Sequence, residues 1–409
     1  MKRHVIVIGG GAAGMAAAIS SRRQGAGVTI LERNPRVGKK LLATGNGRCN
    51  FTNINTSVEY YNGNNPRFVH GALSAFSVKD AIRFFEKLGI QHKVEDSGKV
   101  FPMSDQASSI LDVLLYEMEQ SGVEIICNSY VTDLVKKGNK FIVQTRDGES
   151  FKGDRVILAT GGKAMPSSGS DGNGLELAAK LGHHVTDLFP ALVQLMLEGP
   201  HFKRIDGVKF VGTAEILYND KVHAQDSGDI LFTNYGISGP PILQISRKAG
   251  ELLNQKKKPL LKVVVMNGMS KDEVREIIRK RISLAPAKPI DFSFVGLINK
   301  RLIPVVLKEA CIKDIKLPVS SLSQSEIDQI AKVLTDWRFP IRGTRSWPSA
   351  QVTAGGIHTG EINPDTMESR LIKGLYLAGE IMDIDGLCGG FNLQWAWSSG
   401  YLAGLNASW

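Results

Sequence analysis

The sequence predicts an α/β protein built on a parallel sheet covered on both faces, its chain split by a two-part insertion at roughly 190 to 345. Three observations carry that prediction. Continuous apolar runs, which mark strands buried on both sides, occur at Val5 to Ile8, Val28 to Leu31, Arg155 to Ala159 and again at Gly374 to Gly379. A glycine-rich turn and a small-residue helix stand between the first two runs. From Leu188-Phe189-Pro190 to about Val265 the pattern changes to alternating short strands with turn signals, and a basic, mainly helical stretch follows. With 409 residues, 43% of them apolar and 22% charged, the chain is long enough for two or three domains. Disordered and collagen-like chains are excluded.

The elements follow in order. Val5 to Ile8, the turn Gly9 to Gly14, the helix Ala12 to Arg23 and the strand Val28 to Leu31 read as one β-α-β unit. Residues 37–66 are rich in Gly and Asn with little periodicity, so they form a long loop that serves something other than the core. Ser77 to Leu88 sets Ala81, Phe84, Phe85 and Leu88 on one helical face, and Ala107 to Ser121 is a second helix. Short strands are expected at Glu124 to Cys127, Tyr130 to Lys136 and Phe141 to Thr145, the last ending at the Asp147-Gly148 turn. In the insertion, Gly207 to Leu217, the Asn219-Asp220 turn and Lys221 to Ala224 indicate a small antiparallel β domain; Lys271 to Ser283 and Ser325 to Trp337 read as helices. A helix from about Asn392 to Asn406 ends the chain.

Lys and Arg number 50 against 40 Asp and Glu, a formal charge of +10. The excess is local: Lys256 to Arg345 holds 19 Lys and Arg against 9 Asp and Glu, and the rest of the chain balances. No apolar run approaches the length of a bilayer crossing; Val263 to Met266 is typical. Met1 to His4 leads straight into the first strand with no signal-peptide core, so a cytoplasmic protein without a membrane partner is expected. Cys49, Cys127, Cys311 and Cys388 lack the spacing of a metal site, and neither a disulfide nor a metal is expected.

Gly9-Gly10-Gly11-Ala12-Ala13-Gly14 fits G-x-G-x-x-G between a strand and a helix. Gly9 permits the tight turn, Gly11 lets backbone reach a pyrophosphate, Gly14 lets the helix pack on the strand, and the helix N-terminus offers free N–H groups to phosphate. Glu32 ends the second strand, where a carboxylate accepts the hydroxyls of an adenosine ribose. Thr160-Gly161-Gly162 closes one later strand and Gly379-Glu380 another, and with the loop at 37–53 these suit a cofactor reaching across the sheet edge, longer than an adenosine alone. Here the sequence resembles the two-dinucleotide-fold flavoproteins, which implies that Glu380 lies near a flavin's ribityl chain.

Three strings narrow the match: Gly38 to Asn50 (GKKLLATGNGRCN), Phe232 to Pro240 (FTNYGISGP) and Gly389 to Gly400 (GGFNLQWAWSSG). They resemble the BaiN/RdsA-type flavoprotein family, a group of NAD(P)/FAD-dependent oxidoreductases, over effectively the whole chain. The resemblance implies a Rossmann-like FAD-binding domain in two parts, 1–189 and 343–409, interrupted by a β-barrel-like domain at 190–265 and a basic helical domain at 266–342. It implies bound FAD, with NAD(P)H as a transient electron donor. It adds Ala13, Arg33, Lys39, Lys40, Gly45, Asn46, Gly47, Arg48 and Val131 to the candidate cofactor contacts; one or two of Lys39, Lys40 and Arg48 are expected on phosphate or flavin, and the others are plain solvated charges.

Asn392-Leu393-Gln394 open the last helix, so their N–H groups and the helix dipole are expected to face the flavin pyrimidine edge. Reducing a carbon–carbon double bond also needs a proton donor, and a thiol of pKa roughly 8 to 9 serves at neutral pH. Cys49, between Arg48 and Asn50, is the first candidate and Cys388, beside Gly389-Gly390, the rival; Cys49 as a small buried apolar residue is the other reading. The histidines show no spacing for a metal site or a Ser/His/Asp triad, although His201 and His223 lie in the inserted β domain.

No second G-x-G-x-x-G follows a strand, which points to ping-pong use of NAD(P)H. The resemblance offers two acceptors: a uridine of ribosomal RNA, reduced to dihydrouridine, and the conjugated double bond of a steroid-like enone. The basic stretch from Lys256 to Arg345 favours RNA, with Trp337, Phe339 and Trp347 as platforms for a splayed base. The competing readings are that the tryptophans are core and the lysines only solvate helices, and that the chain is a flavin redox sensor without turnover.

Overall fold

The computed structural model describes residues 3–409 and divides into two compact units, Met1–Phe189 with Ala350–Trp409, and Pro190–Ser349. In the first unit five parallel strands form one sheet in the order Leu375–Leu377, Arg155–Leu158, His4–Ile8, Gly27–Leu31, Glu124–Ile126. The chain runs outward from His4–Ile8 in one direction and returns to its other side later. That reversal creates a crevice beyond the strand ends, where ligands of such sheets bind. An antiparallel sheet of Val131–Lys137, Lys140–Thr145 and Ser150–Gly153 follows; the last of these strands, and the helix Asn173–Lys180, have no counterpart in the sequence reading.

The helices Ala12–Arg23 and Phe391–Ala407 cross at unusually short range. A Cβ added to Gly400 would stand 2.3 Å from the Ala13 carbonyl oxygen, and one on Gly404 2.2 Å from that of Ala17. Glycine facing alanine, four residues apart on each helix, therefore lets the two backbones touch. The hydroxyls of Ser20 and Ser21 then donate to the carbonyls of Tyr401 (2.8 Å) and Gly404 (2.9 Å), contacts available only at that separation.

In the second unit six strands close a barrel in the order Leu195–Leu197, Gly236–Ser238, Lys221–Thr233, Lys209–Tyr218, Leu260–Val264, Trp337–Thr344. The last strand pairs with both Leu260–Val264 and Leu195–Leu197 and so completes the circuit. This corrects the sequence reading in two ways. The helix expected to run to Trp337 stops at Thr335, and the expected limit at 342 falls inside a barrel strand. Trp337 and Phe339 point into the barrel core, with ring centroids 4.8 Å apart and Phe232 5.7 Å from Trp337, so neither offers a face to a base. Trp347 is half-buried. The helix Pro240–Asn254, whose paired prolines disguise its start, also belongs to this unit. Lys271–Leu284 and Gln324–Thr335 each begin with a capping box, Ser270 with Glu273 and Ser323 with Glu326.

Gly404→Ala tests the helix crossing. Alanine ordinarily improves a helix by up to ~1 kcal/mol over glycine, but here its methyl meets backbone that cannot yield, so denaturant unfolding should show a loss of about 1 to 3 kcal/mol. A gain in stability would mean the helices are not packed this closely.

Candidate functional site

The glycines of the first turn differ in what requires them. Gly9 has φ +103°, and a Cβ there would lie 2.5 Å from the Ala159 carbonyl oxygen; one on Gly14 would lie 1.9 Å from that of Gly9. Both are demanded by the protein's own packing. Gly11 has φ −79°, open to any residue, and a Cβ there would meet nothing within 4 Å. The space above Gly11 is thus a cradle that a methyl would fill, at the N-cap of a helix with no capping side chain and no acid in its first turn. That arrangement fits a phosphate-bearing ligand.

Glu32 is buried beside the turn. One carboxylate oxygen accepts from the Gly10 N–H (2.8 Å), and the other from the Asn34 N–H (2.8 Å) and Nδ2 (2.7 Å). A carboxylate has about four acceptor positions and three are taken, so one ribose hydroxyl can still be received. Next to it Arg33 lies 4.7 Å from the Tyr130 ring and pairs with Asp171. Val131 is buried, with its carbonyl taken by Asn173 Nδ2 at 3.2 Å. On the neighbouring strand end, Gly161 packs against Ser170, Gly162 against Thr353, and the Thr160 hydroxyl fills the space a Cβ on Gly174 would need.

Gly379 and Glu380 are fixed by the last helix and the long loop. The Gly379 N–H donates to Ser399 Oγ (2.9 Å), its carbonyl accepts from Trp395 Nε1 (3.1 Å), and a Cβ on it would press 2.8 Å onto that of Ala13. Glu380 accepts from Lys40 Nζ at 2.7 Å and from the Thr353 N–H at 2.9 Å. Lys40 is therefore a partner of the expected ribityl-side acid, while Lys39 is exposed.

The loop expected along the cofactor turns through four left-handed residues, Gly45, Asn46, Gly47 and Cys49. Two expectations change here. Arg48 belongs to a charged cluster: it pairs with Glu95 and with Asp105 (2.6 Å), lies 4.1 Å from the Phe101 ring, and shares Asp105 with Lys93 (2.5 Å). Bonds from Arg48 lower the Glu95 carboxyl, and those from Lys93 and Arg48 lower Asp105, so the guanidinium is committed to carboxylates and not to phosphate. Cys49 is 0% exposed within the core, and burial pushes its thiol up to about 12, partly offset by the hydrogen bond with Thr44. That depth fits the other reading of Cys49, a small buried residue of the core. Cys388 is exposed, just before the last helix.

That helix begins at Gly390, with φ +99° and no capping side chain. The N–H groups of Phe391, Asn392 and Leu393 have no intrahelical acceptor, as at any helix start, while that of Gln394 bonds Gly390 (3.0 Å). The side chains play other parts. Asn392 bridges the N–H and carbonyl of Gly386 (2.8 and 2.7 Å), closing the preceding loop. Gln394 is buried between Thr52 (2.5 Å), Ser398 (2.9 Å) and the Phe76 carbonyl (3.2 Å), which removes it from the cofactor contacts.

His183, His201 and His223 hold structural or surface places. His183, buried, links Glu361 (Nδ1 to Oε2, 3.0 Å) and Ser369 (Nε2 to Oγ, 2.9 Å) across 186 positions. Ser369 Oγ already accepts from the N–H groups of Leu371 and Ile372, so this Ser–His–Glu chain braces loops instead of arming a nucleophile. His201 pairs with Glu309 at 3.1 Å and His223 is exposed. Among the described residues no group of three or more His, Cys, Asp or Glu could hold a metal, and no helix is long and apolar enough to cross a membrane.

Comparison with known proteins gives a family match, the HI0933-like protein Rossmann domain, over residues 3–406. The chain is 40% identical over 404 residues to the 3-dehydro-bile acid delta(4,6)-reductase of Clostridium scindens, covering 98% of each. It is 31% identical over 400 residues to the ribosomal RNA dihydrouridine synthase of Escherichia coli, covering 97% of this chain and 96% of that one. Among solved structures, 3-ketosteroid-delta4-(5alpha)-dehydrogenase of Rhodococcus jostii RHA1 superposes with a TM-score of 0.48 at 16% identity, covering 100% of this chain and 97% of that chain.

Gly11→Ala should leave the apoprotein's unfolding midpoint unchanged, since the methyl meets no protein atom, yet weaken FAD binding at least tenfold in a fluorescence titration. Unchanged affinity would show that the cradle is not the pyrophosphate site. The thiols give a second check. Iodoacetamide at pH 8 should alkylate Cys311 and Cys388 while sparing Cys49 until the protein unfolds; equal labelling of Cys49 and Cys388 would contradict the burial. Because the folded Cys49 thiol ionises near 12 against 9.0 for an ordinary thiol, its contribution to stability is intact below about pH 9 and lost as pH rises toward 12.

Proposed function

The chain belongs to the HI0933-like Rossmann family and is an FAD-dependent oxidoreductase, and on that premise we propose that it reduces the C5–C6 double bond of a uridine in ribosomal RNA. The carrying observation is the charge of the insertion. A surplus of 10 positive charges, equal to that of the whole chain, lies between Lys256 and Arg345, and Lys256, Lys258, Lys280, Lys300, Lys308 and Lys313 are exposed with no carboxylate partner among the described residues. A small apolar acceptor requires no such surface, whereas a phosphate backbone does. Not every cation there is available: Arg275 and Arg338 pair with neighbouring aspartates, and Arg281 holds the carbonyls of Ser293 and Val295 (both 2.7 Å).

When bound and reduced by NAD(P)H, FAD would supply hydride for the β-carbon of a double bond conjugated to a carbonyl. The rest falls to the chain. The cradle over Gly11 and the Glu32 carboxylate hold the pyrophosphate and adenosine ends. The uncapped N–H groups at Phe391, Asn392 and Leu393 direct positive potential to the pyrimidine edge of the ring system, where charge accumulates on reduction. Cys388, the exposed thiol beside that helix start, holds the proton that the α-carbon receives.

The second reading is an enone of steroid or bile-acid type as acceptor, favoured by the greater identity to the bile acid reductase, 40% against 31%. The two acceptors share one electronic pattern, a carbon–carbon double bond conjugated to a carbonyl, so the fold alone serves both. Anaerobic reoxidation of the reduced holoenzyme separates them. A uridine-containing ribosomal RNA fragment should reoxidise it and gain two mass units at one uridine; reoxidation by a 3-keto-4-ene steroid with none by RNA would establish the second reading. In the productive assay Cys388→Ser should slow the step by about 10²- to 10⁴-fold, the usual share of a positioned acid. An unchanged rate removes Cys388 from the reaction.

A further inference from the structure

Resting on the reading that the acceptor is RNA, we infer that the corner formed by Leu284, Phe292 and Leu317 is a stacking platform for an unpaired base outside the active site. Two of the three aromatic residues that the sequence offered for this task, Trp337 and Phe339, are not available, because they fill the barrel core. Phe292 is 58% exposed, Leu284 73% and Leu317 47%, an unusual concentration for side chains of this size.

The three segments that carry them are tied together. The Ile290 N–H donates to the Leu317 carbonyl (3.0 Å) and the Asp291 N–H to that of Ile315 (3.0 Å), so the short helix carrying Phe292 runs beside residues 315–317. Arg281, one turn before Leu284, fixes the end of its helix to Ser293 and Val295. Leu284 then leads through Pro286 to Lys288, whose ammonium lies 5.5 Å from the Phe292 ring.

The charge around the corner decides what covers it. Lys280, Arg281, Lys288, Lys313 and Lys316 lie on the segments that carry it, against Asp291, which pairs with Lys316 (2.5 Å), and Asp314. A ring with a cation already over it and a cationic rim matches a nucleobase flanked by phosphates, since every base presents a π-face and every link a negative charge. Three apolar side chains are too small a patch to anchor a lipid surface.

The test is binding of a fluorescent single-stranded, uridine-rich RNA to the FAD-loaded full chain, with Phe292→Ala, Phe292→Trp and Lys280→Glu. Phe292→Ala should weaken binding about ten- to hundredfold with the salt slope unchanged, and Phe292→Trp should restore it. Lys280→Glu should lower the slope, as loss of a phosphate contact does. An unchanged thermal midpoint and flavin spectrum verify that Phe292→Ala is folded. If Phe292→Ala binds RNA like the parent protein, the platform is overturned while the RNA reading stands; if the parent protein binds no RNA, that reading itself has failed. Phe292-dependent binding to vesicles of phosphatidylcholine and phosphatidylglycerol, with RNA binding unaffected, would assign the corner to a membrane and overturn the proposal.

Discussion

Backbone contact between the first and last helices, at Gly400 and Gly404 against Ala13 and Ala17, is the constraint on which the candidate site depends. The two helices start at glycine turns almost 380 residues apart in the chain, at Gly11 and Gly390, and both expose uncapped N–H groups. Their direct crossing fixes one start relative to the other. The same crossing seats Gly379 on Ala13 and ties it to Ser399 and Trp395, so Glu380 inherits its position from the helix pair. A larger residue at either glycine would move all three parts of the cradle together.

Among the described residues three helices cap themselves; the first and last, like Ala107–Ser121 and Pro240–Asn254, do not. Val78–Lys87, Lys271–Leu284 and Gln324–Thr335 close their own N-termini with a serine and an acid three residues on. The first and last helices begin at glycine, with no acid in the first turn. Their positive ends are left to a ligand, and an anionic, hydrogen-bond-accepting cofactor satisfies what the chain does not. Conversely, Arg48 and Gln394 have already found their partners within the protein, and for that reason they are structural.

The legible parts were those encoded locally. A buried strand, G-x-G-x-x-G and an acid at the end of the next strand specify one another within 32 residues, and the structure assembles them with Glu32 bonded to Gly10. What was illegible depends on distant partners. Nothing near Arg48 announces Glu95 or Asp105, and nothing near Ser369 announces His183. The depth of Cys49 was not readable, because its position on a cofactor loop says nothing of burial; it lies in the core with a left-handed backbone. One signal was present and passed over. Trp337-Arg338-Phe339-Pro340-Ile341-Arg342 alternates apolar and charged residues with period two, apart from the proline, and it is a barrel strand with its aromatic residues inward.

We propose that one FAD molecule spans the two helix starts, at Gly11 and Gly390, held by the helix crossing. Amide hydrogen exchange with and without FAD tests it most directly. Backbone N–H groups at 11–14 and at 391–393 should slow together when FAD is added, at the same FAD concentration. Slowing at one helix start alone, or at neither, would contradict the claim.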